Sequence, residues 1–334
     1  MPSNTARLLR TAGTLILAAS LVTAVAACSS GAEAESTKGS VTVADFAADA
    51  GTKTVIKVDQ VDSIRKQLPE SVIKSGKFVI GVGALPAGFP PLAFTGDDQK
   101  TLTGAEPDLG RLVAAVFGLE PVIKNATWDN LFVGIDTGAT NAGFSNITDT
   151  EQRKEKYDFA SYRQDNLGFE VLKDSAWNFD SDYENLADQT VAVSAGTNQE
   201  KLLLEWQTKL KAEGKKLEIK YYPDANSTYL ALNSGKIDAS FGPNPGIAYH
   251  ALQDAKSANP TRAAGTFSGA GESLQGLIAA TTKKDSGLAE PLAAAINYLI
   301  DNGQYATWLE AYNLTNEAVA KSEINPPGLP ITNQ

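Results

Sequence analysis

From Phe78 to Tyr312 the chain switches repeatedly between two hydrophobic periods, and that alternation leaves few folds open to it. Phe78-Val79-Ile80-Gly81-Val82 is a continuous apolar run of strand length. Residues 106–117 follow with Leu109, Leu112, Val113 and Val116 on one helical face, and Gly118 stands where a helix would stop. The pairing recurs: strands at 122–123, 142–144, 190–193, 217–222 and 237–241, and helices over 128–136, 149–156, 198–213, 227–233 and 245–255. A last strand at 277–281 leads into closing helices over 288–301 and 305–312. Strand–helix units of these lengths require mostly parallel sheets covered on both faces, so the predicted class is α/β. Residues 54–75 read as an N-terminal extension, a short strand at 55–58 and a helix over 61–75 that ends at Gly76.

Charge and rare residues narrow the chemistry. Twenty-nine Lys and Arg against 39 Asp and Glu give a net charge of −10, which argues against a general nucleic-acid binder that must neutralise phosphates. A single Cys excludes an internal disulfide, and a single His, His250, excludes a His-rich zinc centre. No cofactor or metal is expected, and no phosphate-binding Gly loop of the nucleotide type is present.

The N-terminus carries an address. Arg7 and Arg10 precede an apolar run that ends in Val25-Ala26-Ala27-Cys28, with the lone Cys at its last position. The run is short for a membrane span, and its basic flank and small closing residues match a secretory signal. The segment resembles a bacterial lipobox, which implies a signal peptide over 1–27 and lipidation of Cys28. Residues 28–53, rich in Ser, Gly, Ala, Glu and Thr, read as a flexible tether behind that anchor.

Two Thr-x-x-Glu strings, Thr148-Asp149-Thr150-Glu151 and Thr197-Asn198-Gln199-Glu200, stand at expected helix starts and read as capping boxes. Helix N-termini that follow strands are also ready anion sites. Arg153 could clamp a carboxylate bidentately, although by itself an Arg in Glu151-Gln152-Arg153-Lys154-Glu155-Lys156 is more often part of a solvated charged face. Phe89 sits in the irregular loop Pro86-Ala87-Gly88-Phe89-Pro90-Pro91, where a large aromatic must pack underneath or face a ligand. Trp128, with Leu131 and Ile135 at i+3 and i+7, reads by default as a core residue. His250 has no evident partner, so a Ser-His-Asp triad is not expected.

The order of these motifs carries more than any one of them. Phe78-Val79-Ile80-Gly81, Phe89-Pro90-Pro91-Leu92, Gly104-Ala105-Glu106-Pro107-Asp108-Leu109, Trp128-Asp129-Asn130-Leu131, Ile147 through Arg153, Tyr157-Asp158-Phe159-Ala160 and Val191 through Thr197 follow one another at characteristic spacings. Together they resemble family 3 of the bacterial solute-binding proteins, the polar amino-acid receptors of ABC importers, from about 76 to 314. The resemblance implies two lobes, one of residues 76–165 plus 274–334 and one of residues 166–273, joined by two hinge crossings around a ligand cleft. It implies that Phe89 and Trp128 sandwich the ligand and that Arg153, with Thr148 beside it, takes an α-carboxylate. It assigns the remaining polar lining to Ser145, Asn146, Ser194, Thr197, Asn198 and Gln199. It further implies a lipid-anchored monomer on the outer face of the cytoplasmic membrane that delivers a polar amino acid or related carboxylate-bearing solute to a membrane permease.

Two departures bear on the ligand. Where relatives carry an Asp that pairs with the ligand α-ammonium, Asp238-Ala239-Ser240-Phe241-Gly242-Pro243-Asn244-Pro245 places Pro243, which leaves Asn244, a backbone carbonyl or Glu272 to replace it, or a ligand without a free α-ammonium. Pro86 stands where relatives for basic ligands often have an Asp, which makes lysine, arginine and ornithine less attractive. Some proteins of the fold are dehydratases, for which Glu106 and Glu272 are the candidate acids here, and others are sensors that signal without import.

Overall fold

The computed structural model describes residues 39–331. The signal peptide and Cys28 lie outside the described residues. The first part of the chain gives β1 (Ser40–Val43), β2 (Thr54–Lys57), α1 (Asp62–Arg65), α2 (Glu70–Ser75), β3 (Lys77–Val82), β4 (Phe94–Thr95) and β5 (Leu102–Thr103). It continues with α3 (Ala105–Phe117), β6 (Glu120–Asn125), α4 (Trp128–Asp136), β7 (Ala142–Gly143) and β8 (Tyr157–Gln164). A second group follows: β9 (Asn166–Leu172), β10 (Thr190–Val193), α5 (Asn198–Ala212), β11 (Glu218–Tyr221), α6 (Ala225–Asn233), β12 (Ala239–Pro243), α7 (Asn244–Gln253) and β13 (Thr261–Ser268). The chain closes with β14 (Leu277–Lys283), α8 (Ala289–Asp301) and α9 (Gln304–Ala311).

These elements build a two-lobed α/β molecule with one five-stranded sheet in each lobe. The first sheet has the order β6-β3-β7-β14-β8 and the second β11-β10-β12-β9-β13. Each sheet is mixed rather than mostly parallel. β3 runs parallel to β6 and β7, and β14 antiparallel to β7 and β8. β10 runs parallel to β11 and β12, and β9 antiparallel to β12 and β13. In each sheet one strand runs against the rest, β14 in the first and β9 in the second, and each is the strand that receives the chain from the other lobe. A crossing strand enters its sheet from the end opposite to a βαβ unit, so it pairs antiparallel.

Local chemistry explains the helix ends. α3 buries Leu109, Leu112, Val113 and Val116 and stops at Gly118, whose φ of 62° is the left-handed conformation that Gly adopts freely. α5 starts at the N-cap Thr197, whose hydroxyl accepts from the Glu200 N–H at 3.2 Å. Glu200 reaches back to the Gly196 N–H at 2.7 Å, one residue before the cap, so the Thr197 half of the box forms and Glu200 closes the turn that leads into it.

Four expectations need correction. Residues 149–156 do not form a helix: the segment is a turn followed by a short 3-10 turn, Arg153–Glu155. The Thr148 hydroxyl is used elsewhere, and Glu151 accepts from Lys154 and the Gly328 N–H instead of capping. The helix expected over 61–75 breaks into α1 and α2, because Pro69 serves as N-cap of the second piece. The tether does not reach residue 53, since β1 pairs with β2 and buries Val43, and the Ala44 N–H donates to Asp108 at 2.8 Å.

The C-terminal tail does not stay with the first lobe. Ile324 bridges to Ala160 and Leu329 to Thr150, and Leu329 ends fully buried in the apolar core of the second lobe. The Lys201 ammonium donates to the Pro330 carbonyl. The tail therefore straps both lobes on the hinge side.

Candidate functional site

Between the lobes lies a cleft of about 600 Å³. The first lobe contributes the loop after β3, the start of α4 and residues 145–146. The second contributes residues 192–199 at the N-terminus of α5, the start of α6 and residues 240–243 of β12. That volume suits a small solute. The loop after β3 is held by Ser145, whose hydroxyl accepts from the Gly83 N–H at 2.8 Å.

Two aromatic side chains of the first lobe touch the second. Trp128, the first residue of α4, donates through Nε1 to the Gly196 carbonyl at 3.3 Å. Phe89 lies against the backbone of α7: a Cβ placed on Gly246 would stand 2.1 Å from Phe89 Cζ. Gly246 leaves room for that ring.

The cleft brings together Phe89, Trp128, Ser145, Asn146, Ser194, Thr197, Asn198 and Gln199. Thr148, Arg153 and Asn244 stand outside it. Asn244 turns toward the hinge strand, its Oδ1 3.3 Å from where a Cβ of Gly168 would lie. Thr148 is fully buried and donates through Oγ1 to Asp165 Oδ2 at 2.7 Å. Asn198 Nδ2 donates to the same oxygen at 3.1 Å and to the Gly269 carbonyl at 3.0 Å. Asp165 fits only because residue 269 is Gly, whose Cβ would otherwise fall 1.7 Å from Asp165 Oδ2. Burial raises the Asp165 carboxyl, and the hydrogen bond from Thr148, the charge of Arg163 and the bond from Asn198 oppose that rise.

Arg153 faces a second cavity that adjoins the cleft and shares Trp128, Asp129, Gly196, Thr197 and Asn198 with it as a common wall. Its Nη1 donates to the Thr148 carbonyl at 2.9 Å and its Nη2 to the Gly196 carbonyl at 3.4 Å. The guanidinium lies 5.5 Å from the Trp128 ring centroid and 5.4 Å from that of Phe132. Desolvation pulls its pKa down to about 10, against the charge of Asp165. Thus the carboxylate beside Thr148 and Asn198 is the protein's own.

Among the described residues four acids line the cleft, Glu106, Asp129, Glu170 and Asp224, and no Lys or Arg does. Glu106 is engaged on both oxygens, by Tyr162 and by Arg163 Nη2 at 2.7 Å. Asp224 caps α6 through the Ser227 N–H at 2.8 Å. Asp129 is exposed. Glu170 differs from these. It is fully buried on β9, its Oε1 accepts from Thr261 at 2.6 Å and meets His250 Nδ1 at 2.5 Å, and its Oε2 has no partner. The His250 ring stacks on Tyr229, so the lone His has a defined place that the sequence did not reveal. Burial and the Glu170 charge raise the Tyr229 phenol. Gln199 presents a second buried acceptor without a partner, its Oε1. A sequence signal for Glu170 existed: it is the one charged residue inside the apolar run Leu167 through Leu172. Among the described residues no group of three or more His, Cys, Asp or Glu could hold a metal ion.

A family model described as bacterial extracellular solute-binding proteins, family 3, matches residues 81–315. The arginine-binding protein ArgT of Corynebacterium glutamicum is 29% identical over 272 residues, which cover 79% of this chain and 84% of that protein. The L-cystine-binding protein TcyJ of Escherichia coli K12 is 30% identical over 173 residues, 52% of this chain and 60% of that protein. A solved mutant of the arginine-binding protein of T. maritima superposes with a TM-score of 0.61 at 22% identity, covering 73% of this chain and 98% of that one.

Proposed function

The chain belongs to the bacterial extracellular solute-binding proteins, family 3, and we propose that it is the substrate-binding component of an ABC importer that captures a small solute of the amino-acid class or derived from it. One observation carries this reading: a solute-sized cleft in which Phe89 and Trp128 of one lobe already reach Gly246 and Gly196 of the other. A solute held there contacts both lobes only when they are closed, so binding favours the closed form. That form is what a membrane permease would recognise. Lipidation of Cys28 would tether the protein, as a monomer, to the outer face of the cytoplasmic membrane. Among the described residues no helix is long and apolar enough to cross a membrane.

A dehydratase-like activity draws no support from the cleft. Both oxygens of Glu106 are engaged, and Glu272 is exposed and does not line the cleft. The test is a thermal-shift screen against amino acids, their decarboxylated and N-substituted derivatives, and small carboxylates. A melting temperature that rises with solute concentration supports capture by mass action, and a flat response to every solute overturns it.

A further inference from the structure

We propose that the cleft is built for an organic cation without a carboxylate, a small amine or guanidine that sets its charged group against Glu170 Oε2. The inference rests on the capture function proposed above and narrows its solute class.

An α-amino acid would bring a carboxylate that needs donors. The side chains suited to that role, Thr148 and Asn198, both donate to Asp165 Oδ2. Arg153 stands close enough for Asp165 to support its charge. This arrangement is built into the fold, because Asp165 occupies space that only a Gly at 269 leaves open. A ligand carboxylate arriving there would have to displace the Asp165 carboxyl from both of these donors. Among the described residues no Lys or Arg elsewhere in the cleft offers a substitute.

The cleft is instead equipped with acceptors. A buried carboxylate is costly unless it is paired and hydrogen-bonded. Glu170 satisfies Oε1 through Thr261 and His250 and leaves Oε2 free, and His250 is the one basic side chain among the described residues in ion-pair contact with it. Gln199 Oε1 is a second buried acceptor without a partner on the same cleft. Glu170 stands opposite Ser240 in the β9–β12 ladder, three pairs along from Pro243 and therefore on the other face of the sheet, so it is an acid separate from the one missing at Pro243. The aromatic side chains Phe89 and Trp128 add ring faces that attract a desolvated cation.

L-Arginine and agmatine differ only by the carboxylate, so the pair tests the proposal directly. Calorimetric titration of the full chain with agmatine, L-arginine, putrescine and L-glutamine should give agmatine an affinity within about threefold of L-arginine or tighter. L-Glutamine should bind at least about tenfold more weakly, and Glu170→Gln should weaken agmatine by at least about tenfold. L-Arginine binding more than about tenfold tighter than agmatine would reveal a carboxylate anchor and overturn the proposal while capture stands. Binding confined to neutral amino acids does the same. Silence toward every amino acid and amine overturns the capture function itself. Thermal unfolding without ligand reports whether Glu170→Gln folds. Glu170→Asp, which keeps the charge one methylene further back, is the second variant if it does not, and unchanged agmatine affinity in either folded variant removes Glu170 as the anchor.

Discussion

Arg163 on the hinge strand β8 and Glu317 in the C-terminal tail form an ion pair with both side chains buried. Glu106 holds the other side of the same guanidinium. Burial works against the Arg163 charge, but Glu317 and Glu106 outweigh it and keep the group protonated. Removing Glu317 leaves Glu106 to pair with the guanidinium, so the cost is that of one buried hydrogen bond between charged groups, about 1.5–3 kcal/mol. Glu317→Ala should therefore lower the unfolding free energy by about that amount in denaturant titration. A loss below about 1 kcal/mol would mean that the tail contributes little to the hinge.

Gly246 separates affinity from stability. Ala there would place a methyl group within the Phe89 ring, so Phe89 must leave its seat on α7. The same substitution in a helix favours folding by up to about 1 kcal/mol. Gly246→Ala should thus leave the unliganded melting temperature unchanged or slightly raised while weakening solute binding by about tenfold. Undiminished affinity would show that Phe89 does not need that seat to close on the solute.

Asp149 gives the pH dependence an unusual sign. Burial raises its carboxyl from 3.8 to about 7, against the Lys154 ammonium 3.4 Å away. Between about pH 4 and 7 the folded chain therefore binds more protons at this residue than the unfolded chain does. Its contribution to stability is greatest in acid, falls as pH rises through that window and is level above it. Asp149→Asn removes the dependence. From pH 4.5 to 8 the wild type should lose roughly 3 kcal/mol relative to that variant, read by urea unfolding at both values.

Cys28 is tested by fractionation. With its thiol replaced in Cys28→Ala, the exported chain has no acyl chains to hold it, and it should move from the membrane to the soluble fraction. Continued membrane association would point to another anchor.

The regular elements were legible because periodicity and caps are local. α3, α4 and α5 stand where apolar spacing, Gly118 and Thr197 place them. Residues 149–156 depart from the helix reading because a Thr-x-x-Glu string fixes a helix only if its side chains turn to the following backbone, and Thr148 turns instead to Asp165, seventeen positions away, while Glu151 accepts from Lys154 and the Gly328 N–H. β8 runs into β9 and β13 into β14 with no helix between them, so a strand–helix rhythm does not announce β8, β9 or β13. The same limit hid the site's electrostatics. Phe89 and Trp128 could be named from their loop and helix positions, but the Glu170–His250 contact joins residues eighty positions apart. The family resemblance places Arg153 on the ligand, and nothing nearby in sequence shows that its guanidinium donates to the Thr148 and Gly196 carbonyls here.

Asp165 supplies the remaining prediction. Asp165→Ala frees the Thr148 hydroxyl and the Asn198 amide and takes from Arg153 the carboxylate that supports its charge. Those groups can then receive a ligand carboxylate, so L-arginine should gain at least about tenfold in affinity relative to agmatine. Asp165→Asn fills the same space without the charge and should change that ratio less. The unliganded stability of Asp165→Ala should fall, because Arg163 and Arg153 lose a nearby counter-charge. Calorimetry of both ligands on the two variants reads the ratio. An unchanged ratio in Asp165→Ala would show that the internal carboxylate does not set the solute class.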